Sequence, residues 1–303
     1  MTYGLPIGSL AYGAATPYEA PSMPVSENVL FLSPRDSDRA TVSASTAVTS
    51  LPASNVQNQE PSRVWRSTSA ADQHLDFTLA TALACDAVAM AGFLMSADGV
   101  WRLKAYETAE DVGGDAVVDS GWQSVWPDGT RHVDPEWGPE VALLRVENES
   151  AWRYWRLELS DPGVGVTQID VGRVALGRAV QFSINCDFDG GVGYAPNDIQ
   201  EPNGYAQIFT DPRPSNRAFT MQWSALAQRE VHATAMELTR LRGMGGDVFC
   251  FLDPAEVELF HKWSLQGLFT GRADYKPMPV WVTDTDDQLR MAWGFSLSLI
   301  QKR

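Results

Sequence analysis

The sequence predicts a mostly-β protein with two β-rich domains, and three observations support this prediction. Its 303 residues are about twice the usual length of one domain. From residue 26 onward, short apolar runs alternate with turn residues, as in strands that bury one face and expose the other to solvent. Helix-forming residue types with helix stop or start signals occur only in the second half. We therefore expect a β-sandwich followed by a second β-barrel or sandwich domain with one or two inserted helices.

Residues 1–25 are rich in Gly and Pro, carry three tyrosines and show no helix or strand period. Two interpretations fit this composition equally well. The segment is either an extended arm that docks on a neighbouring subunit or a disordered terminus.

The first domain is predicted at residues 26–178. Its strands are short runs in which apolar and polar residues alternate or in which apolar residues follow each other: 28–32, 75–79, 141–146 and 155–159. Gly, Pro, Asp and Asn separate these runs, and no helical pattern intervenes, which indicates a β-sandwich.

The second domain is predicted at residues 179–303. Its strongest strand signals are the alternating runs 180–188, 219–223 and 289–299. Between them, residues 225–242 have helix-forming types and end at Gly243, which is a typical helix stop. A second short helix is predicted from an N-cap at Asp253, followed by Pro254 at the first helical position, and is expected to continue to Trp263.

The charge balance excludes some partners. With 38 acidic and 23 basic residues, the formal charge is −15, which repels nucleic acid and anionic lipid. No run approaches the ~20 apolar residues of a membrane span, and residues 1–23 lack the pattern of a secretion signal. The three cysteines are widely spaced and suggest neither a zinc site nor a disulfide framework.

The sequence contains no motif of a known catalytic site. It has no GxSxG, HExxH or Walker sequence, and none of its four histidines has metal-ligand spacing from another. We expect neither enzymatic activity nor a cofactor. Asp187 and Asp189, in a Gly-rich segment, resemble the start of a calcium loop, with a plain turn as the alternative, since the distal Glu is missing.

Aromatic residues give the clearest functional signal. Residues 109–139 form a Gly-, Asp- and Pro-rich excursion that carries Trp122, Trp126 and Trp137. Flat rings on loops can stack on sugars or fill a partner's pocket. In the alternative interpretation, the rings cap the core of the domain itself.

The first half resembles the discoidin-like galactose-binding family in four landmarks that occur in the family's order. These are PSRVWRS at 61–67, SADGVW at 96–101, WRYWRL at 152–157 and IDVGRV at 169–174. The resemblance covers residues 26–178 and implies a jelly-roll-like sandwich that binds glycans, lipids or proteins through loops. The cysteine pair that often joins the family's termini is absent, and no ligand motif matches.

The second half resembles, in architecture alone, the barrels of tail-tip proteins of tailed bacteriophages. This resemblance implies a structural virion component, assembled in the host cytoplasm, that forms a homo-oligomeric ring in the tail tip or baseplate. Its partners would be other tail proteins, with a host-surface glycan as a further partner of the sandwich. The alternative is a carbohydrate-binding, lectin-like protein or an accessory glycan-processing protein.

Overall fold

The computed structural model describes residues 27–132, 138–187, 190–202, 208–243, 245–270, 273–283 and 289–302. The predicted arm at residues 1–25 lies outside these ranges. Strands dominate the described part of the chain and form three large antiparallel sheets beside one helical segment. The prediction of a mostly-β fold is confirmed. No helix among these residues has the length and hydropathy needed to cross a bilayer.

The first half of the chain contains a sandwich of two sheets. In chain order its strands are β1 (Leu30–Leu32), β2 (Thr41–Ala44), β3 (Trp65–Arg66), β4 (Gln73–Leu83), β5 (Ala87–Leu94), β6 (Val100–Tyr106), β7 (Val118–Asp119), β8 (Gln123–Ser124), β9 (Val141–Arg145), β10 (Trp152–Ser160) and β11 (Asp170–Gly177). The outer sheet has the order β2-β4-β10-β6-β7, with β8 also paired to β6. The middle sheet has the order β3-β11-β5-β9. These two facing sheets are the predicted sandwich.

The second half forms an eight-stranded sheet and one helical segment. Its strands are β12 (Val180–Gln181), β13 (Gly191–Ala195), β14 (Ile199–Pro202), β15 (Ile208–Asp211), β16 (Asn216–Leu226), β17 (Asp247–Phe251), β18 (Ser264–Phe269), β19 (Asp274–Thr283) and β20 (Leu289–Gln301). The sheet has the order β12-β1-β17-β18-β20-β16-β13, and β19 pairs with β20. Strands β14 and β15 form a separate hairpin.

Period-2 alternation explains the outer sheet. In β10, Trp155, Leu157 and Leu159 are buried in the core between the two sandwich sheets, whereas Arg156 and Glu158 point to the opposite face. Because successive side chains of a strand point to opposite faces, this pattern places one apolar and one charged face on the outer sheet.

The middle sheet is buried on both faces. All eight residues of β11 are buried. On β5, Ala87, Ala89 and Ala91 turn away from the sandwich core and pack in a second apolar layer with Leu30 and Phe249. These small side chains let the sandwich and the eight-stranded sheet approach closely, so the molecule has three β layers rather than two separate bodies.

The first strand departs from the predicted domain boundary. Residues 28–32 were assigned to the sandwich, but Leu30 pairs with Gln181 of β12 and with Phe251 of β17. Three consecutive buried apolar residues in β1 are typical of a strand that is covered on both faces. The sandwich is therefore inserted between two neighbouring strands of the eight-stranded sheet.

We call the eight-stranded sheet, together with the segment that connects its end strands β12 and β13, the barrel. One strand is predicted at 180–188; among its described residues, 180–187, Val180 and Gln181 are the ones that pair with β1. The chain then crosses to β16, where the Asp187 amide donates to the Gln222 carbonyl at 2.7 Å, and β13 continues that pairing. The two ends of the sheet are thus joined through one crossing segment.

One of the two predicted helices is present. The helical segment consists of α1 (Gln228–Glu230), a π-helical turn (Val231–Ala235) and α2 (Met236–Arg242), and it ends at Gly243, whose φ is 55°. The second predicted helix is wrong, since 252–263 forms turns. The Asp253 carboxylate accepts the amides of Ala255 and Glu256, as a helix N-cap does. The Glu256 carboxylate then accepts the amides of Glu258 and Leu259, and these side-chain bonds replace those of a continuing helix.

A buried ionic network joins the sandwich to the barrel. The Arg173 guanidinium of β11 binds Asp247 of β17 through two bonds of 2.8 and 3.0 Å, and it also binds Asp38. Arg242 donates to the same Asp247 carboxylate at 2.7 Å. Burial alone would lower the pKa of Arg173, but its bonds to Asp38 and Asp247 outweigh burial and raise it.

Two stacked histidines form a second contact between the halves. The rings of His132, after β8, and His261, before β18, lie 3.7 Å apart at an interplanar angle of 9°. Asp128 is 2.6 Å from His132, while Lys262 and Arg217 lie on the barrel side. Burial, followed by the neighbouring His132, lowers the pKa of His261 to about 4.

This pKa gives a prediction for acid stability. A group whose pKa falls from 6.5 in the unfolded chain to about 4 in the folded chain favours folding above pH 6.5. That contribution is lost as pH falls through this window. We expect the His261→Phe variant, which keeps an aromatic ring, to show a flatter loss of unfolding free energy between pH 6.5 and 4 in urea titrations. Equal slopes for both proteins would refute this role.

Candidate binding site

The structure separates the three predicted tryptophans. Trp126 is 4% exposed, its indole nitrogen donates to the Ser96 carbonyl at 2.7 Å, and its ring lies 5.1 Å from that of Phe93. Trp126 therefore completes the sandwich core, and its prediction as a ligand-binding residue is corrected. Trp137 lies outside the described residues. Trp122, by contrast, is 45% exposed.

Trp122 sits in a tightly held turn between β7 and β8. The preceding Gly121 has a φ of 68°, and its amide donates to the Asp119 carboxylate at 2.8 Å. The Ser120 hydroxyl accepts the Leu103 amide at 2.9 Å and ties the turn to β6. Since β7 pairs Asp119 with Lys104 and β8 pairs Gln123 with Trp101, the turn that carries Trp122 lies along Arg102 and Leu103, at the edge of the outer sheet.

The outward side of this sheet carries a continuous set of charged residues. We call it the charged face, and it consists of His74, Asp76, Arg102, Lys104, Asp119, Arg156 and Glu158. Strand register sets these residues in two rows across the sheet. One row runs through Asp76, Arg156, Lys104 and Asp119. Trp122 lies in the turn that follows Asp119, at the same edge of the sheet.

Every arginine and lysine of the charged face has a carboxylate partner. Arg156 binds Asp76 through two bonds of 2.6 and 2.9 Å. Lys104 binds Glu158 at 2.9 Å. Arg102 binds Asp119 through two hydrogen bonds. Cross-strand pairs of this kind fix long side chains in one orientation, so their hydrogen-bonding groups are already aligned at the surface.

The pKa shifts reflect these pairs. The Asp119 pKa is lowered chiefly by its hydrogen bonds from Arg102. The Arg156 pKa is raised chiefly by its bonds to Asp76. Burial, with a further contribution from Arg156, lowers the pKa of His74. The face thus combines three basic side chains, three acidic side chains and an imidazole whose pKa is lowered.

A groove on the sandwich presents fewer charged side chains than the charged face. It has a volume of about 410 Å³ and is lined by Pro61, Ser62, Val64, 92–94, 138–140 and Asp170. Burial raises the pKa of its Glu140 carboxyl. Its other carboxylate, Asp170, is held by Arg66 through two 2.7 Å bonds.

The predicted calcium loop resembles a turn in its described part. The Asp187 carboxylate accepts the Ser224 hydroxyl, and its carbonyl accepts the Gly190 amide at 3.1 Å. Asp189 lies outside the described residues. Within the part of the chain that the structure describes, no three His, Cys, Asp or Glu side chains are grouped to hold a metal ion.

The charged face was missed in the sequence analysis, although a signal for it exists. Charged residues alternate with apolar ones at 74–78, 102–104 and 156–158. The sequence predicts strands at 75–79 and 155–159 and makes no assignment at 102–104. Their opposite signs become pairs only when the order β4-β10-β6-β7 is known.

The similar solved structures each cover about half of this chain. No protein-family model and no curated protein matches the chain. A similar solved structure is the family 32 carbohydrate-binding module of C. perfringens NanJ in complex with galactose, at 14% identity and TM-score 0.35, covering 49% of this chain and 99% of that one. Another is the lectin domain of lectinolysin complexed with Lewis B antigen, at 10% identity and TM-score 0.34, covering 47% and 96%. No comparison supports the tail-tip resemblance.

Proposed function

We propose that this chain is a binding protein that recognises a neutral carbohydrate through Trp122 and the adjoining charged face. The observation that carries the proposal is the exposed indole beside a sheet face whose charged groups are held in fixed pairs. An indole can cover the apolar face of a sugar ring. Carboxylates accept, and guanidinium and ammonium groups donate, the hydrogen bonds that sugar hydroxyls make.

The charge balance of the face favours a neutral ligand. Arg102, Lys104 and Arg156 already have carboxylate partners, so an anionic sugar would have to displace one of them. The formal charge of −15 on the whole chain adds general repulsion of polyanions. We therefore expect neutral oligosaccharides to bind in preference to uronates or sulfated glycans.

The Trp122→Ala variant tests the site. We expect it to bind a neutral oligosaccharide at least tenfold more weakly, which corresponds to about 1.4 kcal/mol. The measurement is solution calorimetry with soluble, monovalent probes. Galactose and the Lewis B oligosaccharide, found in the similar structures, are the first choices, and a polyuronate fragment is the charged comparison.

Trp281→Ala provides the matched control. Trp281 is 64% exposed on the barrel, far along the chain from the charged face, and its removal should leave calorimetric affinity unchanged. A monovalent probe in solution avoids the effect of any change in oligomeric state. Equal affinity of the wild type and Trp122→Ala, or preferential binding of the polyuronate, would contradict the proposal.

A structural role in a larger assembly is the second candidate, with the bacteriophage tail tip as the case that the sequence resemblance implies. The observation that favours an assembly role is the group of exposed apolar side chains on strands of the eight-stranded sheet: Val192, Val280, Trp281, Leu289 and Met291.

A further inference from the structure

A single carboxylate connects the charged face to the turn that carries Trp122. The Asp119 carboxylate accepts the Arg102 guanidinium through two bonds, one of them 2.6 Å long, and it also accepts the Gly121 amide at 2.8 Å. Gly121 is the residue immediately before Trp122. Asp119 therefore holds a cation of the face and the backbone that leads into the exposed indole in one fixed arrangement.

The backbone of this turn is in a conformation that favours glycine. Gly121 has a φ of 68°, in the left-handed region, and an added Cβ there would have no atom within 4 Å outside the two adjacent residues. The need for glycine is therefore conformational and not steric. The Ser120 hydroxyl accepts the Leu103 amide and donates to the Gly121 carbonyl, both at 2.9 Å, which ties the same turn to β6.

The orientation of Trp122 depends on its turn more than that of a core tryptophan does. Trp126 is 4% exposed and packs against Phe93 in the sandwich core, whereas Trp122 is 45% exposed. A side chain that becomes ordered only when a ligand arrives loses conformational entropy on binding, and so it binds more weakly than one that is already held. Interactions that fix the turn should therefore raise the affinity for any ligand that contacts the indole.

We infer that Asp119 and Gly121 are positioning residues of the proposed carbohydrate site. They hold the indole of Trp122 at a fixed place relative to Arg102, so that one sugar ring meets both groups without a prior rearrangement of the turn. The inference rests on the proposed function, and it adds the residues that make the site rigid before the ligand binds. Asp119 acts in this role through Trp122 and not through the sugar.

Two alanine variants separate the conformation of the turn from its contacts. Gly121→Ala leaves every charged residue of the face in place and adds a methyl group where there is open space, but it disfavours the φ of 68°. Gly129→Ala is the matched control, because Gly129 has the same φ and the same open space in the turn after β8. In calorimetry with galactose and the Lewis B oligosaccharide, we expect about fivefold weaker binding for Gly121→Ala and unchanged binding for Gly129→Ala.

Asp119 variants give a readout that does not depend on any ligand. Asp119→Ala removes the acceptor of the Gly121 amide, whereas Asp119→Asn keeps an oxygen that can accept it. In the protein without sugar, the indole N–H resonance of Trp122, identified by its loss in Trp122→Phe, reports the order of the ring in heteronuclear NOE measurements. We expect a lower NOE in Asp119→Ala and Gly121→Ala than in the wild type, and a partial recovery in Asp119→Asn.

Failure of the positioning role and failure of the proposed function give different results. If Trp122→Ala loses affinity while Gly121→Ala and Asp119→Ala keep both affinity and the wild-type NOE, the positioning role is overturned and the site stands. An equal loss of affinity in Gly129→Ala overturns it as well. A wild type that binds no neutral sugar contradicts the proposed function, and the NOE of the sugar-free protein then decides by itself whether Asp119 and Gly121 order Trp122.

Discussion

Replacing Asp247 with alanine is expected to cost about 3–5 kcal/mol of unfolding free energy, because it leaves buried charges without their partner. The Asp247 carboxylate is fully buried and accepts bonds from Arg173, Arg242 and Gln266. Without it, Arg173 keeps Asp38 as its carboxylate partner, on the sandwich side. The loss should therefore weaken the contact between sandwich and barrel as well as the barrel itself.

Urea denaturation followed by tryptophan fluorescence measures this loss. Asp119→Ala is the matched control, since it also removes a two-bond carboxylate–arginine pair, but one that is partly exposed. Exposed pairs contribute roughly 0–1 kcal/mol, so the control should unfold close to the wild type. Similar losses in both variants would show that burial does not govern the Asp247 network.

Gly172→Ala is expected to be the second large effect, because the added methyl group would strike backbone. Its Cβ would lie 1.9 Å from the Pro61 carbonyl oxygen. An added Cβ at the facing Gly92 would lie 2.7 Å from the same oxygen. Pro61 therefore packs where both β5 and β11 carry a glycine. Overpacking of this kind costs typically about 1–3 kcal/mol, and more when backbone has to move.

Thermal melts of Gly172→Ala and Gly177→Ala test this packing. Gly177 ends the same strand, and its added Cβ would make only ordinary contacts, the nearest at 3.6 Å. We expect a clear fall in melting temperature for the first variant and a small change for the second. Equal melting temperatures for Gly172→Ala and the wild type would contradict the close approach of Pro61 to the middle sheet.

The alternation in the sequence predicted strands correctly where one face of the strand is exposed to solvent. The alternation at 155–159 and 289–299 lies within strands β10 and β20. In each strand, the side chains on one face are largely buried and those on the other face are more exposed. The sequence assigned β1 to the wrong unit, since three apolar residues show that a strand is buried but not which sheet covers it. The non-local pairing of Leu30 with Phe251 has no local signature.

The site was predictable only in part. Trp122 and Trp126 occupy the same turn-rich segment, and composition does not distinguish them. The difference comes from the packing of Trp126 on Phe93, a contact made across the sandwich core. The charged face required cross-strand register, which sets Arg156 between Asp76 and Lys104.

The insertion of the sandwich between β1 and β12 determines how the molecule would respond to mechanical force. A pull on the sandwich enters the barrel through the ends of two paired strands, where Phe31 lies opposite Val180. Such a load would peel these strands apart one hydrogen bond at a time, which is the weak direction of a sheet. The alanine-lined layer and the Arg173 network also join the sandwich to the barrel, so we expect them to oppose that peeling.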